Sequence, residues 1–349
     1  MSLIWLDGFE TWNDAADLQV IDALYDTSSA STGDTYGRKD RGLNLGSQFS
    51  NYYMKLPNTH ADNTTVILGC AYKSISSGNW NYDYSNPQWA FYDTDGNRHV
   101  SIHSKGSSRL FEVRDYSEAV IGTGTFEMIL NVWYYIEIKV AISDTVGVVQ
   151  MRFNEQALDI DLSGQDTLNG SNGYVGRIRM YGGVEYKGFA VDDLYVCNAQ
   201  GTKNNDFLGD VRIDAVRPDG AGNYTDFDPS AGSNYENVDE TYPDDDTTYN
   251  DSQDVAAGEQ DSYAMESLDV LGTTIHGVKD QITVRKTDSG ARSAKILTVQ
   301  GGSDYLGDTI VLSDSFTTHT RIMEDNPDDA AAFVEADITS GEVGVEVTI

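Results

Sequence analysis

The chain is poor in several things at once, and each shortage closes off a class of protein. It has 2 cysteines and 6 prolines in 349 residues, and only 23 Lys and Arg against 56 Asp and Glu. Two cysteines cannot make the disulfide framework that small secreted domains rely on. Cys70 and Cys197 both fall in strand-like apolar runs, where two reduced, buried thiols are expected. The formal net charge of −33 repels phosphate backbones and anionic lipid surfaces, so neither nucleic acid nor a membrane is an expected partner. No run of about 18 apolar residues exists to span a bilayer. The opening MSLIWLDGFE has neither a basic n-region nor an apolar h-region, so no secretory signal is expected.

Long helical periodicity is missing too. Instead, short period-two alternations are separated by Gly, Asn, Asp and Ser. In Trp133–Ala141 (WYYIEIKVA), Tyr134, Ile136, Ile138 and Val140 face one way, with Tyr135, Glu137 and Lys139 opposite. Val66, Leu68, Cys70 and Tyr72 alternate likewise, as do Val149, Met151 and Phe153. Such runs predict antiparallel sheets stacked as a sandwich. The fold class expected is all-β: a jelly-roll β-sandwich over residues 1–200, then a smaller β-sandwich over 201–349, joined near the polar stretch 198–206. In the second half, strands are expected at Phe207–Val216, Ile282–Val284, Ile296–Val299, Ile310–Leu312, Ile322–Met323 and Val343–Val347. Short helices are expected only at Ser262–Leu268 and Asp328–Phe333. An acidic loop is expected at about 217–261: between Glu236 and Asp261 lie ten acidic residues and no Lys or Arg. Packing of Tyr235, Tyr242 and Tyr249 would order it.

Catalytic chemistry finds little purchase. Retaining glycoside cleavage needs two carboxylates about 5–5.5 Å apart, and the nearest arrangement is Asp159 with Asp161, without a following Glu. The five histidines are scattered; His99 and His103 would share a strand face about 13 Å apart, too far to chelate one metal. No nucleophile elbow or phosphate loop occurs. No catalytic residue is therefore assigned, and the chain is expected not to be an enzyme.

Two features call for a partner. In Phe189–Val196 (FAVDDLYV), strict alternation puts Asp192 and Asp193 on opposite faces, so one carboxylate must be buried. It needs N–H donors, expected from the N-terminal DGFE strand, or a cation. The cation reading is calcium held by Asp7, Asp192 and Asp193, the one cofactor considered. Asp93–Asn97 has the look of half a calcium loop, or more simply a tight hairpin turn. Trp80, Tyr82, Tyr84 and Trp89 form an aromatic cluster that would pack on the sandwich, make a subunit interface, or stack on a glycan.

The strings Trp5–Glu10, Trp133–Ile138, Met151–Asn154 and Val191–Val196 make residues 4–197 resemble the concanavalin-A-like, laminin-G-like jelly-roll family, which implies the fold and leaves activity open. Gly209–Glu240 and Lys286–Gly307 are similar to segments of tailed-bacteriophage structural proteins. That resemblance implies a virion component displayed on capsid, neck or tail, assembled in the host bacterial cytoplasm. It would act as a decoration, cement or fibre protein through contacts with other virion proteins and copies of itself. The alternative it leaves is an adhesin for host surface glycan; a glycan depolymerase stands third.

Overall fold

A computed structural model describes the chain except for residues 1, 13–24, 29–30, 34–35, 40, 46–50, 57–59, 76–86, 106–107, 182–188, 253–256, 270 and 349. Of residues 25–28, 31–33, 51–52 and 60 it describes the backbone alone. The fold is all-β, in two units: the first runs to Ile213 and the second from Asp214 onward.

The first unit is a sandwich of an eight-stranded and a seven-stranded sheet. The eight-stranded sheet runs β13 (Ile160–Gln165), β12 (Gly147–Phe153), β11 (Tyr134–Ala141), β6 (Thr65–Ser74), β15 (Phe189–Asn198), β4 (Gly42–Asn44) and β3 (Ser31–Gly33), with β1 (Leu3–Asp7) also on β15. The seven-stranded sheet runs β10 (Val120–Thr123), β9 (Leu110–Arg114), β8 (Arg98–Lys105), β7 (Trp89–Tyr92), β14 (Arg177–Tyr181), β5 (Asn51–Lys55) and β2 (Tyr25–Ser28). All these pairings are antiparallel. The period-two pattern sets the register: Ile136, Ile138 and Val140 stand opposite Cys70, Leu68 and Val66 on one side and Phe153, Met151 and Val149 on the other. A slip of one residue would turn this whole buried set outward. The sheets meet through aromatic rings, Tyr72 to Trp89 at 5.0 Å and Phe111 to Phe153 at 5.9 Å between centroids. Cys70 and Cys197 are both buried and not joined in a disulfide.

Tyr135 and Glu137, on the outer face of the eight-stranded sheet, are nonetheless buried. Residues 206–213 lie over them. Phe207 sits under Arg152 at 4.7 Å, and Gly209 N–H donates to Glu137 Oε1 at 2.8 Å. The expected strand Phe207–Val216 is thus irregular chain. Its backbone N–H groups go to carboxylates of the sandwich instead of a neighbouring strand: Glu137, Glu155 and Asp193.

The second unit has a six-stranded sheet, β16 (Pro218–Thr225), β19 (Gln260–Met265), β25 (Glu342–Val347), β21 (Ser293–Gln300) and β22 (Ser303–Leu306), with β23 (Ile310–Val311) also on β21. Two-stranded pieces join β17 (Asp228–Pro229) to β18 (Asn250–Asp251) and β20 (Val278–Val284) to β24 (Thr317–Met323). The β20–β24 ribbon stacks on β21 through buried Asp280, which accepts from Thr298 Oγ1 at 2.5 Å.

Two expectations for this half fail. Ser262–Leu268 lies largely in β19, because Tyr263 and Ala264 pair with Val343 and Glu342; and helical turns form at Glu335–Ser340 (α) and Asn234–Asn237 (3-10) rather than at Asp328–Phe333. The segment expected as acidic loop contains β16, β17 and β18, and amides help to order it beside the half-buried Tyr235 and Tyr242. Asn234 Nδ2 donates to Phe227 O at 2.8 Å and Asp261 Oδ2 at 2.9 Å. Asn250 Nδ2 donates to Asn234 O and the Tyr263 hydroxyl, each at 2.9 Å. Tyr249 is 42% exposed.

Candidate functional site

Asp192 and Asp193 do not alternate. Asp192 pairs with Ala71 and Tyr195 with Gly69, so two residues of β15 oppose one of β6. Asp193 occupies this bulge at φ +49°, and both carboxylates end up buried and facing Arg38. Asp192 Oδ2 accepts Arg38 N–H at 2.6 Å and Oδ1 accepts Asp193 N–H at 2.8 Å. Asp193 Oδ1 accepts Ile213 N–H at 2.9 Å, and Oδ2 faces Arg38 at 3.3 Å and Arg212 at 3.5 Å. Asp7 Oδ1 accepts from Phe9 N–H at 2.9 Å and Trp12 Nε1 at 3.1 Å.

Of the two readings, the hydrogen-bonded one is favoured over calcium at Asp7, Asp192 and Asp193: N–H groups take Asp7 Oδ1, both Asp192 oxygens and Asp193 Oδ1, and two guanidinium groups face Asp193 Oδ2. The donors come from Arg38, Asp193 and Ile213 rather than the N-terminal strand. Among the described residues no group of three or more His, Cys, Asp or Glu could hold a metal ion.

Glu10, overlooked in the sequence, joins this neighbourhood. Burial, then the charges of Asp192, Asp193 and Asp7, push its carboxyl up to about 9. Burial likewise raises Asp192 and Asp193. A carboxyl raised on folding makes the folded state bind more protons than the unfolded chain, so its stabilisation is full below the unfolded value and is lost as pH rises through the folded one. The first unit should lose stability between about pH 4.5 and 9, by up to about 1.4 kcal/mol per pH unit for Glu10. Glu10→Gln should flatten the slope of melting temperature against pH over that window; a slope the variant leaves intact would assign the effect elsewhere.

Other candidate positions fall apart spatially. Trp80, Tyr82 and Tyr84 lie outside the described residues. Trp89 is no surface ring: it is 1% exposed between Tyr72 and Phe111, because its strand turns that side to the core. Asp159 and Asp161 have separate hydrogen-bond partners. Asp159 Oδ1 accepts from Thr125 N–H, Thr125 Oγ1 and Phe126 N–H at 2.7–2.9 Å, while Asp161 accepts from Gln150 at 2.9 Å. A cleft of about 370 Å³ beside Asp159 is lined by Phe126, Glu127, Phe153 and Leu158 among others. Glu127 there pairs with Arg109 at 3.0 Å.

The outer face of the seven-stranded sheet carries a different constellation. Successive rows across β5, β14 and β7 read Lys55–Arg177–Tyr92 and Tyr53–Arg179–Ala90, with Asp26 of β2 in register beside Tyr53. The Arg177 guanidinium stands 5.3 Å from the Tyr53 ring centre and 5.2 Å from that of Tyr92. Arg179 stands 5.1 Å from Tyr53 and 4.7 Å from Tyr181. Lys55 is exposed and Tyr53, Tyr92, Arg177 and Arg179 half-buried.

Asp93–Asn97 joins β7 to β8 at this end as the tight turn that its sequence suggested. Asn97 donates to Asp93 from both its backbone and its side chain at 2.7 Å, and Asn172 Nδ2 adds a bond at 3.0 Å. Burial alone would raise the Asp93 carboxyl, but those bonds outweigh it and hold it below its ordinary value. The signal in sequence was RIRMY, whose alternation puts both arginines on the face opposite Ile178 and Met180; the tyrosines that stack on them come from distant strands.

No family model and no curated protein matches this chain. Solved structures do match. A sialidase overlaps 56% of this chain at 11% identity and a TM-score of 0.39, and the chain spans only 18% of that protein's length. The exoplasmic/lumenal domain of VIP36, in a Ca2+/Man3GlcNAc-bound form, overlaps 51% of this chain and 84% of its own at 12% identity and 0.34. A carbohydrate esterase of the Shiga toxin-encoding bacteriophage phi24B overlaps 50% and 89% at 13% identity and 0.34. Likenesses of this strength carry no functional weight, and function rests on this chain's own side chains.

Proposed function

We propose that the chain is a non-catalytic glycan-binding protein, and that it serves on a tailed-phage particle. The observation that supports binding is the Tyr53–Arg177–Tyr92 arrangement on an outer sheet face: rings and planar cations held rigid by rigid strands, offering flat apolar surface and N–H donors together. Sugars present the matching surface, with apolar C–H faces ringed by hydroxyls. The virion setting draws on the sequence resemblance at Gly209–Glu240 and Lys286–Gly307, with decoration, cement or fibre contacts to other particle proteins.

A glycan array probed with the intact chain tests binding. A signal that Tyr92→Ala lowers about tenfold, the worth of one stacked ring at about 1 kcal/mol or somewhat more, is the expected result. Silence across the array, with and without calcium, would reject the reading. Immunogold labelling of intact particles tests the setting, and bare virions would remove it.

A further inference from the structure

We infer that the saccharide taken by this face carries a carboxylate, which Arg177 and Lys55 receive; the inference rests on the glycan-binding reading above. Lys55 and Arg177 are direct cross-strand partners, and like charges placed opposite repel. In a chain with 56 acidic residues and 23 basic ones, that repulsion could easily have been cancelled from within. Elsewhere on the same sheet it is: Arg98 pairs with Glu118 at 2.6 Å, and Arg114 with Glu112. Among the described residues neither Lys55 nor Arg177 has a carboxylate partner. Two adjacent cations without a counter-charge among the described residues, in a strongly acidic molecule, call for an anion from outside.

The geometry of Arg177 suits a carboxylate. The guanidinium stands 5.3 Å and 5.2 Å from two tyrosine ring centres, and a guanidinium is the group that grips a carboxylate with two parallel bonds. Its Nη2 end lies against the Asp93–Asn97 turn: a Cβ added at Gly96 would lie 3.3 Å from it. That turn presents Thr94, whose hydroxyl is 2.9 Å from the Tyr174 hydroxyl. A pair of hydroxyl groups therefore stands on the turn that meets the cation. Little side-chain freedom remains to be lost on binding.

The overall charge narrows the ligand class. A net −33 repels dense polyanions such as nucleic acid or a polyphosphate. Across more than about 8 Å of physiological saline, however, exposed charges are screened. A sugar with one carboxylate per ring meets the two cations locally and feels little of the rest.

Titration calorimetry on the full chain tests this with two matched probe pairs: a galacturonate oligomer against its methyl ester, and sialyllactose against lactose. The acidic member of at least one pair should bind about ten- to hundredfold tighter, the worth of a charge-assisted hydrogen-bond pair. Arg177→Lys, which keeps the charge and loses the fork, should erase most of that preference. Lys55→Ala, at an exposed position, should reduce it several-fold without disturbing the fold, and circular dichroism checks both variants. Equal affinity within each pair, unaffected by Arg177→Lys, would overturn the carboxylate assignment while leaving glycan binding standing. Binding of no probe and no array glycan would overturn both. Tighter binding of a phosphorylated or sulfated oligosaccharide than of either carboxylate would also overturn it.

Discussion

Trp89→Ala should destabilise the first unit by about 3–5 kcal/mol, the usual cost of deleting a large aromatic side chain from a core. Trp89 is 1% exposed, with Tyr72 at 5.0 Å and Phe111 at 5.7 Å between ring centres. Tyr72 belongs to one sheet and Phe111 to the other, so the indole joins the two layers, and neighbouring strands cannot collapse into the space it leaves. Trp89→Phe should cost far less. It keeps a ring between the same partners and removes an indole N–H that is buried without a hydrogen-bond partner among the described residues. Urea denaturation followed by near-ultraviolet circular dichroism measures both. If Trp89→Ala kept its unfolding midpoint and lost only ligand binding, the ring would belong to a surface and the packing described here would be wrong.

Glu137→Ala should be comparably damaging, for an electrostatic reason. Glu137 is 1% exposed on the outer side of its sheet. It accepts from Arg152 Nε at 2.5 Å, the Tyr195 hydroxyl at 2.6 Å and Gly209 N–H at 2.8 Å. Removing the carboxylate strands three donors beneath residues 206–213 and leaves Arg152 partly buried without its counter-charge. Breaking a buried ion pair from one side typically costs about 3–5 kcal/mol. Glu137→Gln can still accept from Tyr195 and Gly209, so it should fall between the wild type and Glu137→Ala. Amide hydrogen exchange should show Leu208 and Gly209 losing protection first, since their N–H groups donate to the Tyr195 hydroxyl and to Glu137. Unchanged protection there, with unchanged stability, would mean the carboxylate is not what holds this segment down.

Neighbouring Gly69 belongs to the same arrangement. A Cβ there would lie 2.0 Å from Tyr195 Cε1, so the tyrosine ring lies flat over bare backbone and carries its hydroxyl to Glu137. Read along the sequence, ILGCAY offered no reason for that glycine. The reason is a side chain from a strand 126 positions further on.

What could be read from residue order was whatever depends on near neighbours. Alternation in WYYIEIKVA, TVILGCAY and the C-terminal EVGVEV settled which residues face a core, because side chains along a strand alternate whatever the strand pairs with. The Asp93–Asn97 turn was legible for the same reason, since its bonds close within five residues. The charge excess, and the repulsion of nucleic acid that follows from it, is additive and needs no fold.

What had to wait for tertiary structure depends on which strands become neighbours. The bulge at Asp193 broke the alternation on which the calcium reading depended, and only pairing with β6 reveals it. Trp89, two residues from other aromatics in sequence, was left between packing, an interface and glycan stacking, because clustering along a chain says nothing about which side of a sheet is covered; the structure decides for packing. Phe207–Val216 carries strand-like residues, yet its N–H groups found carboxylates before they found a strand. Arg177 stands out only once Tyr53, 124 residues earlier, is placed beside it. Local order decides the period of a strand; the partners of its side chains are set by long-range pairing, whose energy no short window of sequence contains.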